Sequence, residues 1–270
     1  MLVRYAAETP SDWVVRGSRL IVVNEGPGRE AIMITARVSP GRRGSYGFDA
    51  PFAPAFLTAM AVLYVVLAIT SGTRKFWVSA AFILAVDALY IYTTRRGKFA
   101  AWAQLLGQLN LRGDERILDL GCGRGAVLLL AAQHLTTGRA VGVDLWRRVD
   151  QSGNSLEATR RNAIAEGVDD RVELHTADMM ALPFADDSFD LVVSNFAIHN
   201  ISGRAGREKA VGEAVRVLRP GGRLLIVDVR GTRRHRAQLA RMGMTEVARR
   251  WLGWRLMAPL VTATKPQRRS

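Results

Sequence analysis

The sequence predicts an α/β fold, a doubly wound and mostly parallel sheet, preceded by a two-helix transmembrane hairpin. Two observations predict this arrangement. After residue 97, apolar runs of strand length alternate with segments of helix length. Before it, two stretches of 19 residues carry almost no charge. We therefore divide the chain into an N-terminal extension (1–45), the hairpin (46–96) and an α/β domain (97–270).

The N-terminal extension shows weak strand signals. Apolar runs at 20–23 and 31–34 flank the turn signal Glu25-Gly-Pro-Gly28, which predicts a small β-hairpin. The polar, turn-rich run at 39–45 indicates a linker. These signals assign the extension no function.

The two apolar segments are candidate membrane spans. Residues 52–70 carry no charge, and the only charge within 76–94 is Asp87. At about 1.5 Å per residue, each helix could cross roughly 28 Å of hydrocarbon, and the short turn 71–75 allows only an antiparallel hairpin. A buried helical pair packed on the domain is the soluble alternative. Asp87 is costly in lipid, and both a functional role and a helix-packing hydrogen bond are open for it.

Charge around the hairpin predicts its orientation. Basic residues are more numerous outside the hairpin than in its turn. They are Arg42, Arg43, Arg95, Arg96 and Lys98 outside, and Arg74 and Lys75 in the turn. The positive-inside rule then places both ends, and the α/β domain, on the cytoplasmic side of the membrane.

Charge and cysteine content bear on nucleic-acid binding, membrane binding, disulfides and metal sites. The net charge of +14 suits nucleic acid or an anionic membrane, but no basic motif with interleaved aromatic residues appears, so we expect no nucleic-acid partner. The arginine-rich stretch 230–255, with Trp251 and Trp254, fits either an anionic headgroup surface or a solvated helix. The single cysteine, Cys122, excludes an intrachain disulfide and offers no metal framework.

The α/β domain opens with an amphipathic helix at 98–112, and regular alternation follows. We expect strands at 116–120, 140–144, 171–175, 189–194, 223–228 and 256–264, and helices at 125–135, 154–166, 204–217 and 233–252. A ligand of such a sheet binds at the carboxyl ends of the strands.

Three successive strands end in an acid: Asp119, Asp144 and Asp178. Asp119 leads into the small-residue turn 121–125, where the backbone can approach a nucleoside closely. This turn and Asp144 also satisfy a loose dinucleotide fingerprint. A carboxylate at the turn repels a pyrophosphate and attracts an ammonium or sulfonium, which favours S-adenosylmethionine over a nicotinamide dinucleotide. Asp144 can accept ribose hydroxyls, and Asp178 can accept the adenine amino group while Met179 packs on the ring. Capping of the following helix is the alternative for Asp119.

Five segments resemble the class I S-adenosylmethionine-dependent methyltransferases, especially the ubiquinone/menaquinone-type branch. They are 117–125, 142–144, 177–179, 182–190 and 217–225. The resemblance covers about residues 98 to 266. It implies a Rossmann-like methyltransferase fold with a seven-stranded, mostly parallel sheet, a late antiparallel strand near 256–264, and S-adenosylmethionine as cofactor. The residues that it implies for the cofactor site are Asp119, Gly121, Gly123, Asp144, Asp178 and Asn195. We expect Cys122, Gly125, Leu145 and Met179 to bind the cofactor with them.

Two segments depart from the commonest pattern of that family. One is the polar insertion 146–154, whose Asp150-Gln-Ser-Gly-Asn154 run is similar to that of a distinct bacterial subgroup. A lid or acceptor-binding loop and a plain helix cap at Ser152 or Asn154 both fit it. The other is 194–200, where His199 is the candidate general base, or else orients a loop or the cofactor.

Together these features predict a membrane-anchored enzyme that transfers a methyl group from S-adenosylmethionine to a small acceptor by in-line displacement. The hairpin favours a lipophilic acceptor such as a quinone, polyprenyl or lipid-like molecule. A non-catalytic S-adenosylmethionine-binding membrane protein and a nicotinamide-dependent reductase are the alternatives. The methylated atom, whether oxygen, nitrogen or carbon, and the oligomeric state stay open.

Overall fold

The computed structural model describes residues 13–16, 19–22, 36–37 and 42–267. Two compact units divide the chain, Met1–Arg43 and Gly44–Ser270. In the first unit three strands form an antiparallel sheet in chain order: β1 (Trp13–Arg16), β2 (Arg19–Val22) and β3 (Ala36–Arg37). A hairpin is therefore present, but β1 and β2 form it ahead of the expected turn. That turn at 25–28 and the run at 31–34 lie outside the described residues.

Two long helices occupy the expected apolar segments, α1 (Phe52–Ser71) and α2 (Arg74–Tyr92). Small residues are buried where the helices meet, among them Ala61, Ala68 and Ala80. Large apolar side chains face outward; they include Phe52, Phe56, Val62, Leu63, Val66, Ile69, Trp77, Val78, Phe82 and Leu84. Only 11% of each helix's apolar window is buried inside the protein, whereas the core helix of a soluble protein is mostly buried.

The second helix does not stop at the end of the hairpin. It continues through a π-helical turn, Thr93–Gly97, into α3 (Lys98–Gly107). The α3 side chains Trp102, Leu105 and Leu106 are buried, as the amphipathic pattern predicts, although the helix ends before the expected residue 112. The hairpin and the α/β domain are thus joined by continuous helix.

Seven strands form the main sheet in the order β6-β5-β4-β7-β8-β10-β9. Their bounds are β4 (Arg116–Leu120), β5 (Arg139–Asp144), β6 (Val172–Thr176), β7 (Phe189–Asn195), β8 (Leu218–Val227), β9 (Thr245–Trp251) and β10 (Pro259–Thr264). Neighbours from β6 to β8 are parallel, and β10 is antiparallel to both β8 and β9. The late antiparallel strand is therefore confirmed.

Helices cover both faces of this sheet. They are α4 (Ala126–Ala132), α5 (Leu156–Glu166), α6 (Arg204–Val217) and α7 (Thr232–Arg241). Alternate β4 side chains enter different cores: Ile117 packs with residues of α3 and α4, and Leu118 with residues of α6 and α7. The doubly wound, Rossmann-like architecture is confirmed.

The expected helix at 233–252 is wrong in its second half. The helix α7 ends at Arg241, and Gly243 follows with φ +77°, a conformation that glycine adopts readily and that closes helices. The Met244 N–H then donates to the carbonyl of Leu239 at 3.1 Å. Residues 245–251 form the edge strand β9, whose partner β10 supplies hydrogen bonds that local helical spacing does not reveal.

Candidate functional site

A cavity of about 260 Å³ lies at the carboxyl ends of β4, β5 and β7, where ligands of this architecture bind. Nine predicted residues line it: Asp119, Gly121, Cys122, Gly123, Asp144, Leu145, Asp178, Met179 and Asn195. Gly125 and His199 are not among the lining residues. The structure therefore brings most of the predicted site together.

The glycine turn, residues 121–125, presents backbone to this cavity. Gly121, Gly123 and Gly125 have φ values of +72°, +51° and +84°, which favour glycine. A Cβ at Gly121 would collide with Ala197, and one at Gly123 would lie 2.5 Å from Gln151 Oε1. Gly125 is the N-cap of α4 and so shapes the turn from behind the cavity.

Asp119 is the most buried acid of the site. It is 1% exposed, and its Oδ1 has no hydrogen-bond partner among the described residues. Burial, and then the charge of Asp144, raise its pKa to about 8. Because Gly125 is the N-cap of α4, Asp119 is not a helix cap. An unpaired oxygen in a cavity wall is instead suited to a cationic group.

Asp144 braces the turn and the insertion at once. Its Oδ2 accepts the Gly123 N–H at 2.9 Å. Its Oδ1 accepts the Trp146 N–H at 2.6 Å and the Asn154 Nδ2–H at 3.2 Å. The carboxylate that closes β5 is therefore held in place from both sides of the cavity mouth.

Two further side chains follow β6 and β7. Asp178 Oδ1 accepts the Met180 N–H at 2.8 Å, which shapes the loop after β6. Asn195, the last residue of β7, accepts the indole N–H of Trp102 at 2.7 Å. Since Trp102 is buried on α3, the helix that continues from the hairpin fixes this amide.

His199 contacts a buried acid. Its Nδ1 lies 2.7 Å from Asp228 Oδ1, and its backbone N–H donates to Asp228 Oδ2 at 3.0 Å. Both contacts hold the 3-10 turn Ile198–Asn200, which places Asn200 in the cavity wall. This geometry supports an orienting role, and the general-base role stays a prediction.

Cys122 lines the cavity as a buried thiol. Its side chain is buried, and burial raises the pKa of the thiol well above its usual value. A neutral thiol is a poor nucleophile. Within the described part of the chain, no group of three or more His, Cys, Asp or Glu side chains is arranged to hold a metal ion.

The insertion 146–154 is a cavity wall and not a helix cap. Ser155 caps α5, accepting the Ala158 N–H at 3.1 Å, so neither Ser152 nor Asn154 has that function. Instead Ser152 Oγ accepts the Phe48 N–H at 2.8 Å. Four insertion residues line the cavity: Arg147, Asp150, Gln151 and Asn154.

A segment that sequence reasoning missed completes the wall. Residues 44–50, which we term the strap, run along α5 and the insertion. The Asn162 side chain accepts the Ser45 N–H at 2.9 Å and donates to its carbonyl at 3.0 Å. Asp49 of the strap and Lys98 of α3 both line the cavity and form an ion pair of 2.7 Å. In the sequence, the only sign of this wall was a pair of opposite charges, Asp49 just before the first apolar segment and Lys98 just after the second.

Comparisons with known proteins fit this geometry. Residues 118–226 match a family model described as a methyltransferase domain. The chain is 40% identical over 131 residues to methyltransferase GfsG of Streptomyces halstedii, covering 48% of this chain and 44% of that protein. It is 34% identical over 134 residues to demethylmenaquinone methyltransferase of Symbiobacterium thermophilum, covering 49% and 50%. The chain thus spans about half the length of these curated relatives.

Residues 118–226 are therefore similar to a methyltransferase domain. A crystal structure of an S-adenosylmethionine-dependent methyltransferase from Aquifex aeolicus shares the fold, with a TM-score of 0.50 at 19% identity over 60% of this chain and 88% of that one. The matched segment contains all three strand-end acids, whereas the strap and the hairpin lie outside it.

Proposed function

We propose that the protein is a membrane-anchored methyltransferase of the bacterial cytoplasmic membrane that methylates a small lipophilic acceptor, with its catalytic domain facing the cytoplasm. One observation carries this proposal. Asp49 and Lys98, which flank the hairpin in the sequence, both line the cavity. The foot of the hairpin is therefore part of the site wall, and an acceptor dissolved in the bilayer has a short path to it.

The cavity residues fit S-adenosylmethionine as the methyl donor. Asp119 offers an unpaired buried oxygen to the ammonium, and the glycine turn offers the backbone of Gly121 and Gly123, which carry no side chains of their own, to the cavity. In this proposal Asp144 accepts the ribose hydroxyls, and Asp178 binds the adenine amino group beside Met179. The donor supplies a methyl group already activated by a sulfonium. The protein has only to align the acceptor with it and exclude water.

The hairpin has the properties of a membrane anchor. At about 1.5 Å per residue, the 20 residues of α1 span roughly 30 Å, close to a bilayer core. At the end of α2, Tyr92 stacks on Trp254 with ring centroids 5.3 Å apart. Trp251 and Trp254 are 58% and 63% exposed. Exposed indoles beside a membrane helix are typical of the headgroup region.

The proposal of a lipophilic acceptor rests on the position of the cavity at the foot of the hairpin and on one relative. The Symbiobacterium relative is named for demethylmenaquinone, a lipophilic acceptor. A labelling experiment tests the same class here. The full-length protein is incubated with bacterial membrane extract and methyl-labelled S-adenosylmethionine, followed by organic extraction. Label in the organic phase supports the proposal, and label confined to protein or aqueous metabolites contradicts the lipophilic acceptor. A non-catalytic binding protein would bind the donor and label nothing.

Topology can be tested because the single cysteine, Cys122, is buried. A Thr73→Cys variant places a thiol in the turn of the hairpin, and Ile164→Cys places one on the exposed surface of α5. We expect a membrane-impermeant maleimide to label the turn in intact spheroplasts and to label α5 only after lysis. The reverse pattern would contradict the cytoplasmic location of the catalytic domain.

A further inference from the structure

A chain of hydrogen bonds connects the foot of the hairpin to the glycine turn. Lys98 Nζ donates to both carboxylate oxygens of Asp49, at 2.9 and 2.7 Å. Asp49 Oδ1 also accepts from Gln151 Nε2 at 2.9 Å. Gln151 Oε1 in turn accepts the backbone N–H of Arg124, inside the turn, at 2.8 Å. Three side chains thus link the end of the membrane hairpin to the backbone beside Gly123.

Gln151 is tightly held at the centre of this chain. It is 8% exposed, and its Nε2 also donates to the Tyr46 carbonyl at 3.2 Å. An amide must offer its oxygen to the N–H of Arg124 and its nitrogen to a carboxylate, so its orientation is fixed by its partners. Its Oε1 also occupies the space that a side chain at position 123 would need.

The ion pair between Lys98 and Asp49 makes this chain of hydrogen bonds rigid. Lys98 is 2% exposed, and a buried cation is costly unless a carboxylate accompanies it. Asp49 is therefore pinned above the cavity, and the strap is pinned with it. A second link runs in parallel, because Asn162 Nδ2 donates both to the Ser45 carbonyl and to the Arg124 carbonyl, at 3.0 and 2.9 Å.

We propose that Gln151 and Asp49 form a clasp that positions the glycine turn for S-adenosylmethionine, so that donor affinity depends on the membrane-proximal strap. Gln151 is then a positioning residue that acts through the backbone of the turn. The inference rests on the proposed function, since it takes the turn to be the donor site. It assigns the Asp150–Asn154 segment to donor binding, leaving acceptor recognition to other parts of the cavity.

The first test is Gln151→Ala in the full-length protein, reconstituted in nanodiscs of phosphatidylethanolamine and phosphatidylglycerol. We expect calorimetry to show S-adenosylhomocysteine binding about tenfold more weakly, because the variant removes all three hydrogen bonds of Gln151 and with them the link between the strap and the turn. In methylation of membrane extract, the KM for S-adenosylmethionine should rise about as much as the Kd, and kcat should fall by a smaller factor. Gln238→Ala is the matched control, because Gln238 also donates a hydrogen bond, to the Glu208 carbonyl at 2.7 Å, but does not line the cavity. Its donor affinity should equal that of the wild type.

A double variant separates the clasp from general damage to the fold. Gln151→Glu places a second carboxylate beside Asp49 and should weaken binding more than Gln151→Ala. Adding Asp49→Asn exchanges donor and acceptor within the pair and restores the net charge that the pair has in the wild type, although Lys98 then contacts an amide in place of a carboxylate. This double variant should recover to within about threefold of the wild-type Kd. Wild-type affinity in Gln151→Ala, or no recovery in the double variant, would overturn the clasp. A wild-type protein that binds no S-adenosylhomocysteine would overturn the proposed function itself.

Discussion

Donor binding should release a proton from Asp119. With a pKa of about 8 in the free protein, about nine tenths of this carboxyl is neutral at pH 7. A ligand ammonium beside it favours the ionised form. Each bound ligand should therefore release about 0.9 proton at pH 7, and affinity should rise about tenfold per pH unit between about pH 5.5 and pH 7. The rise should level off above about pH 8, where most of the carboxyl is ionised before the ligand binds.

Calorimetry measures this release directly. S-adenosylhomocysteine, which keeps the ammonium, is titrated at pH 7 into the protein in buffers of different ionisation enthalpy. The titrations stay below about pH 7.5, because an α-amino group has its own pKa near 7.7 to 8.0. Asp119→Asn, which cannot ionise, should bind more weakly and with no pH dependence from this group. No proton release by the wild type, or equal release by the variant, would refute the assignment of Asp119 to the ammonium.

The remaining predictions concern folding and the glycine turn. Because folding raises the pKa of Asp119, the neutral carboxyl makes its full contribution to the free energy of unfolding below about pH 4. This contribution is lost as pH rises towards 8, by at most about 1.4 kcal/mol per pH unit. The Tm of the donor-free protein should therefore fall more steeply over this window than the Tm of Asp119→Asn. Gly121→Ala meets both a positive φ and Ala197, so calorimetry should detect no donor binding, whereas Gly212→Ala, with open space around it, should bind normally. Thr58→Val removes the 2.8 Å hydrogen bond from Thr58 to Asp87 Oδ2, and Asp87 Oδ1 already has no partner among the described residues. A denaturant titration in micelles should therefore show a free energy of unfolding lower by about 1 to 3 kcal/mol.

The sequence predicted the features that depend on local pattern. Asp119, Asp144 and Asp178 could be placed at one sheet edge because each follows a short apolar run, and parallel strands end together. Gln151 could not be assigned in this way, because its partner Asp49 lies 102 residues away and becomes a neighbour only when the strap folds back on α5. The edge strand β9 was missed for a related reason, since its exposed arginines leave no apolar alternation to distinguish it from a helix.

The structure also shows that the residues flanking the hairpin contribute to the cavity, beyond any role of the helices as an anchor. A fragment that begins at residue 97 would lose the strap and leave Lys98 as a buried cation without its carboxylate, so weak donor binding by that fragment would say nothing about the membrane. Replacing residues 53–89 by a short Gly-Ser linker is the informative alternative, because the contacts of Asp49 with Lys98 and of Tyr90 with the Asp49 carbonyl show that the two ends are adjacent. If the clasp and the anchor are separate functions of one segment, this variant should no longer sediment with membranes and should still bind S-adenosylhomocysteine. Loss of both properties together would mean that the helices themselves hold the donor site in shape.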